Sequence, residues 1–296
     1  MKTRSLELVA SPKEPHFVGD GFRVHNFIPS GFRMDMQRMS PFILLDYNST
    51  YYFPPSDTPK GVDVHPHRGF ETVTIAYKGR VQHHDSSGGG GVIGEGDIQW
   101  MTAASGVLHK EYHEKEWSKK GGDFQMVQLW VNLPAKFKMS SPRYQAIKSD
   151  NLNRYEFEHN AGSVEVIAGE YKGIKGVANT FTPIHMFNIK LNEGNIAELN
   201  FPQNYNTALL VLEGSIVING KEEVPTDHLA LMANDGEIFR LEAKEDAVVL
   251  VMSGEPINEP IAAQGPFVMN TREELMQAFN DFKEGKFGVL EDNIPD

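Results

Sequence analysis

Apolar and polar residues alternate in short runs along most of this chain, and glycine or proline interrupts the runs at close intervals. Thr72-Val73-Thr74-Ile75-Ala76-Tyr77 is β-branched and aromatic and closes at Lys78-Gly79, which predicts a strand and a turn. Val81, His83 and Asp85 share one parity in the next run, and Gly88 to Gly91 predict a flexible turn, since four glycines favour no single conformation. Further turns at Gly94–Asp97 and Ala103–Gly106 enclose Ile98-Gln99-Trp100-Met101. From Gln125 to Leu133 the chain alternates again, with Phe124, Met126, Gln128 and Trp130 against Gln125, Val127, Leu129 and Val131. Short strands at this spacing predict an all-β sandwich or barrel.

The second half repeats the texture. Val164–Gly169, Met186–Leu191 and Ala208–Leu212 are strand-like, and Ala208–Ser215 parallels Val73–Arg80. A change to proline, lysine, methionine and Ser140-Ser141-Pro142 around residues 134–143 marks the boundary, giving two domains, 1–140 and 144–296. One helix is predicted, over 272–284: Thr271 and Glu274 form a capping box, and Leu275, Phe279 and Phe282 recur at helical spacing toward a core.

Composition narrows the functional classes. The 296 residues suffice for two ordinary domains, no run of eighteen apolar residues could span a bilayer, and the first residues lack the apolar core of a signal peptide. With no cysteine there is no disulfide or thiolate ligand. A cytoplasmic protein is expected, nuclear as well if the source is eukaryotic. Forty acidic residues against 28 basic give a formal charge of −12, which disfavours direct nucleic-acid binding.

The candidate chemistry lies in two histidine-rich stretches. His65, His67, Gly69 and Glu71 share one face if His65–Glu71 is extended, and His109, Glu111 and His113 share one face of the second stretch. Alternate residues on a strand stand roughly 6.5–7 Å apart, so two imidazoles can reach one ion. Imidazole and carboxylate together suit borderline divalent metals. On this reading Glu71, Glu111 and His113 compete to complete the site. His16, His25, His159, His185 and His228 are isolated and are assigned to the surface or to satisfied core positions. His83 is either a donor lining the pocket or a structural histidine. Trp100, Met101 and Trp130 are core or pocket wall.

The order Gly61, His65, His67, Glu71, Gly79, then Gly96, Gly106, His109 resembles the two cupin motifs. His65-Pro66-His67-Arg68-Gly69-Phe70-Glu71-Thr72-Val73-Thr74 is similar to the hallmark of the pirin family, as are Gly96–Ala103, Leu108-His109 with Glu111, Gln128–Leu133 and Gly265–Thr271. The resemblance implies a bicupin: two consecutive double-stranded β-helix barrels with a short C-terminal helix and metal only in the first barrel. Carried over by position, the ligands are His65, His67, His109 and Glu111, with Glu71 moved to an outer position and His113 to the rim. The second barrel has Phe201–Asn206 where the first has His-Pro-His, and is expected to hold no metal. The implied cofactor is one divalent ion, Fe(II) first, with Mn, Co, Ni, Cu or Zn as alternatives. The implied activity is a quercetin 2,3-dioxygenase type of flavonol cleavage with O2, Glu111 serving as general base. The alternative is a metal-loaded, redox-responsive regulator that docks on a protein partner, a transcription complex or a metabolic enzyme.

Overall fold

Antiparallel pairing organises the backbone, as the short alternating runs require. The structure, a computed structural model, describes residues 2–30 and 33–291. The chain divides into two units: residues 14–37, 42–149 and 257–296 form the first, and residues 1–13, 38–41 and 150–256 the second.

In the first unit a seven-stranded sheet runs in the order Arg143–Ile147, Ile98–Thr102, Phe70–Lys78, Gly122–Asn132, Phe42–Phe53, Phe22–Ile28, His16–Val18. A four-stranded sheet completes the barrel: Gly61–His67, Val107–His113, Val81–Asp85, Gly90–Ile93. The second unit has the same two sheets in the same order. Its larger sheet is Leu6–Ala10, Leu229–Met232, Asn206–Glu213, Ala247–Gly254, Ile184–Leu191, Gly162–Ala168, Asn153–Glu156. Its smaller sheet is Ile196–Asn200, Ile238–Ala243, Ile216–Ile218, Glu222–Val224. The expected pair of cupin barrels is therefore present. The likeness of Val73–Arg80 to Ala208–Ser215 has a topological meaning, because Phe70–Lys78 and Asn206–Glu213 each stand third in their large sheets.

The expected division into 1–140 and 144–296 needs correcting at its boundary and at both ends. Arg143–Ile147 pairs with Ile98–Thr102 and belongs to the first unit. Leu6–Ala10 pairs with Leu229–Met232 in the second unit, and the buried Arg4 donates to the carbonyls of Pro202 and Gly236 at 2.6 and 2.8 Å. Conversely, the hairpin Ala262–Gln264/Phe267–Met269 and the helix Arg272–Lys283 belong to the first unit. There Phe267, Leu275, Ala278 and Phe287 form one apolar cluster, and Arg68 pairs with Asp281 at 2.9 Å. Edge strands leave unpaired backbone groups, and distant segments of chain cover them here.

Two local expectations can be compared directly. The helix begins at Thr271 with both halves of the capping box formed, although Phe282 is 39% exposed rather than buried. The glycine run is not a free turn. Asp85 Oδ1 accepts from the backbone N–H groups of Ser87 and Gly89 at 2.8 and 3.0 Å, and Gly90 already pairs in a strand.

Among the described residues no helix is long and apolar enough to cross a membrane.

Candidate metal centre

His65 and His109 face each other across the small sheet of the first unit, since Gly61–His67 and Val107–His113 pair with His65 opposite His109. His67 lies two residues along the first strand, on the same face. The ring centroids of His65 and His109 are 4.2 Å apart, those of His67 and His109 4.6 Å, and those of His65 and His67 4.8 Å. Two overlapping triplets result, each with its ligand atoms within 4.8 Å of one another: His65, His67, His109, and His83, His109, Glu111. His109 is the shared member.

The hydrogen bonds around the rings determine which nitrogens are presented. His65 Nδ1 lies 2.8 Å from the carbonyl oxygen of Asp63, and His67 Nδ1 lies 3.3 Å from that of Pro266. A carbonyl can only accept, so each Nδ1 carries a proton and turns the ring's Nε2 toward the cluster. His109 Nε2 is buried and has no hydrogen-bond partner. Burial first, then the neighbouring His65, keeps His67 and His109 well below the ordinary imidazole value, so both are neutral at pH 7. Two rings oriented by backbone carbonyls, beside a neutral His109 with an orphaned nitrogen, form a donor set suited to a divalent ion. The residues fit the group.

Glu111 is buried and held on both oxygens. Oε1 accepts from Thr74 Oγ1 at 3.0 Å and Gln99 Nε2 at 3.1 Å, and Oε2 accepts from Gln128 Nε2 at 3.3 Å. His83 has both ring nitrogens engaged, Nδ1 with Gln99 at 3.0 Å and Nε2 with Asp85 at 3.3 Å, and its ring stacks on Tyr144. It buttresses the site through Gln99. A cavity of about 410 Å³ opens onto the centre, lined by His65, His67 and Glu111 and otherwise mainly by apolar side chains that include Phe22, Met126 and Trp130. Trp100 and Met101 are core residues.

Two sequence candidates are elsewhere. Glu71 was expected to share the face of His65 and His67, but the strand breaks between His67 and Phe70. Gly69 there has φ +91°, and a Cβ on it would lie 1.9 Å from the carbonyl oxygen of Val268. Across that break the parity changes: Thr74 points at Glu111, whereas Glu71 bonds to Thr102 Oγ1 at 2.7 Å. Glu71 is therefore not an outer neighbour of the centre. His113 bonds the carbonyl of Gly21 at 2.8 Å and packs among Phe53, Trp117 and Phe124, so it is a core histidine and not a rim residue. Among the isolated histidines, His25 is buried against Ser49, and His16 and His159 are exposed.

The reading of the residues missed Thr74, Gln99, Gln128 and Pro266. The first three are polar residues inside otherwise apolar runs, which is a usable signal. Pro266 gives none, because it reaches His67 from 199 residues away.

Comparison with known proteins agrees with this architecture. The family model described as Pirin matches residues 21–131, and the one described as Pirin C-terminal cupin domain matches residues 186–288. A Pseudomonas aeruginosa protein named "Putative quercetin 2,3-dioxygenase PA2418" is 47% identical over 272 residues, covering 92% of this chain and 94% of its own length. Mouse Pirin is 34% identical over 276 residues, covering 91% and 89%. The crystal structure of quercetin 2,3-dioxygenase from Acinetobacter baumannii superposes with a TM-score of 0.91 at 47% identity, covering 98% of this chain and all of the other. Two barrels of matching topology, matched by both domain models and by relatives along nearly the whole chain, place this protein in the pirin family.

Proposed function

We propose that the chain is a metal-dependent dioxygenase of the quercetin 2,3-dioxygenase type, which cleaves a flavonol with O2 to a ring-opened ester and carbon monoxide. The observation that carries this reading is the cluster of three imidazoles, His65, His67 and His109, one with an orphaned nitrogen, at an apolar cavity large enough for an aromatic ligand. The names of the P. aeruginosa and A. baumannii relatives agree with it.

His65, His67, His109 and Glu111 are the proposed holders of one divalent ion, Fe(II) first. When bound, such an ion supplies Lewis acidity and redox capacity toward O2. The remaining tasks fall to the protein. Phe22, Val24, Leu44, Met126 and Trp130 receive the flat rings of the ligand and exclude water. A carboxylate oxygen of Glu111 accepts the proton of the flavonol 3-hydroxyl. Thr74, Gln99 and Gln128 hold that carboxylate by its hydrogen bonds, so it needs no reorientation.

The test is anaerobic incubation of iron-loaded protein with quercetin, followed by O2, with carbon monoxide and ring-opened product measured. Metal-dependent cleavage is expected. Undiminished turnover in His65→Ala or Glu111→Ala would overturn the reading.

A further inference from the structure

The cavity has a second polar group that the proposed chemistry does not use. Asp46 lines it from Phe42–Phe53 of the large sheet, whereas His65, His67 and Glu111 line it from the small sheet. Leu44, two residues away on the same strand, lines it too, with Val24 and Trp130 among the other wall residues. Asp46 stands between Asn26 and Gln128, its cross-strand partners on either side.

Asn26 fixes the carboxylate. Its Nδ2 donates to Asp46 Oδ1 at 2.8 Å and to the carbonyl of Ile28 at 2.9 Å, which uses both amide hydrogens. No other side-chain hydrogen bond to Asp46 is formed among the described residues. A carboxylate in an apolar wall with one neutral donor is incompletely compensated, and a ligand hydroxyl can supply a second donor. Burial accordingly lifts its carboxyl above the ordinary range, against the opposing effects of Asn26 and His16.

We propose that Asp46 is a substrate-binding residue that accepts a hydrogen bond from a phenolic hydroxyl, on a part of the aromatic ligand other than the hydroxyl presented to Glu111. Asn26 is its positioning residue. The inference deepens the dioxygenase reading and rests on it for the identity of the ligand. It makes the cavity selective for polyhydroxylated over singly hydroxylated aromatic compounds. The hydrogen bond contributes only when the ligand carries the distal hydroxyl, so a ligand without it leaves Asp46 unsatisfied.

The test compares quercetin with 3-hydroxyflavone, which carries the 3-hydroxyl alone, and catechol with phenol. Affinities are read from tryptophan fluorescence and calorimetry on metal-loaded protein without O2. Intact protein is expected to prefer the more hydroxylated member of each pair by about tenfold, equivalent to one net hydrogen bond. Asp46→Leu should reduce the preference to within about twofold while binding 3-hydroxyflavone and phenol at least as tightly as the intact protein does, which also reports an intact cavity. Asp46→Asn, which keeps the shape of the side chain, should reduce it by a smaller factor. A preference that survives both substitutions overturns the inference, even where quercetin turnover persists and supports the dioxygenase reading. Absence of quercetin cleavage with an Asp46-dependent catechol preference overturns the reaction and retains this residue's role. Binding of none of the four compounds overturns both.

Discussion

The two barrels share a strand order and differ in what the same pair of strands presents to the interior. In the first, Gly61–His67 and Val107–His113 bring His65, His67, His109 and Glu111 together. In the second, Ile196–Asn200 and Ile238–Ala243 pair in the same place and bury Ala197 opposite Leu241 and Leu199 opposite Phe239. Those four join a continuous apolar cluster with Phe187 and Phe201. The alternate positions carry Glu198 and Arg240, an exposed ion pair at 2.9 Å. Among the described residues both candidate ligand triplets lie in the first barrel. The difference shows that the scaffold alone does not make a site: the fold fixes the strand pair, and side-chain identity decides between a packed interior and a polar one.

Four substitutions probe the contrast. The largest effect is expected from His109→Ala, which removes the member common to both ligand triplets. Metal content by elemental analysis should fall from about one ion per chain to nearly none, and an unchanged content would contradict the proposed centre. Next is Phe239→Ala in the second barrel, which should cost about 3–5 kcal/mol in denaturant unfolding through the cavity it leaves, with metal content unchanged. A loss of metal would mean that the barrels are not separable in this respect.

The third probe concerns Glu71, whose counterpart in the pairing of Val73–Arg80 with Ala208–Ser215 is the uncharged Asn206. Burial raises the Glu71 carboxyl to about 7, against the hydrogen bond from Thr102 and the charge of Arg143. The folded state then keeps a proton that the unfolded chain releases. This group's contribution is therefore greatest below about pH 4.5, declines as pH rises through the interval to about 7, and is flat above it. Glu71→Gln should remove that slope and raise stability at pH 8 by ~2–3 kcal/mol; an unchanged pH profile would contradict the assignment. The smallest effect belongs to the exposed Glu198–Arg240 pair, where Arg240→Ala should change unfolding stability by less than about 0.5 kcal/mol. A change above 2 kcal/mol would show that the pair is more than a solvated contact.

Much of this was legible in the sequence. Strand alternation put Val81, His83 and Asp85 on one face, which is buried, and the His-Pro-His and His109–Glu111 stretches did come together. The capping box located the helix start. What escaped has a common physical cause: parity and chain order are local rules. Parity failed at Gly69, where a left-handed backbone conformation ends one strand before Glu71 begins the next face. Chain order failed at the termini, where Leu6–Ala10 and Arg272–Lys283 complete the barrel more distant in sequence. Asp46 escaped because a single acidic residue in Phe42–Phe53 carries no motif, and only the folded cavity shows what surrounds it.

The exchanged termini have a consequence for synthesis. The segment that begins at residue 257 supplies the carbonyl for His67 Nδ1 and the carboxylate that pairs with Arg68, yet it emerges from the ribosome after the whole of the second barrel. The proposed metal centre, though encoded in the first half of the message, should mature last. Nascent chains halted at residue 256 should therefore capture metal far more weakly than the completed chain; equal capture would show that the late segment is dispensable.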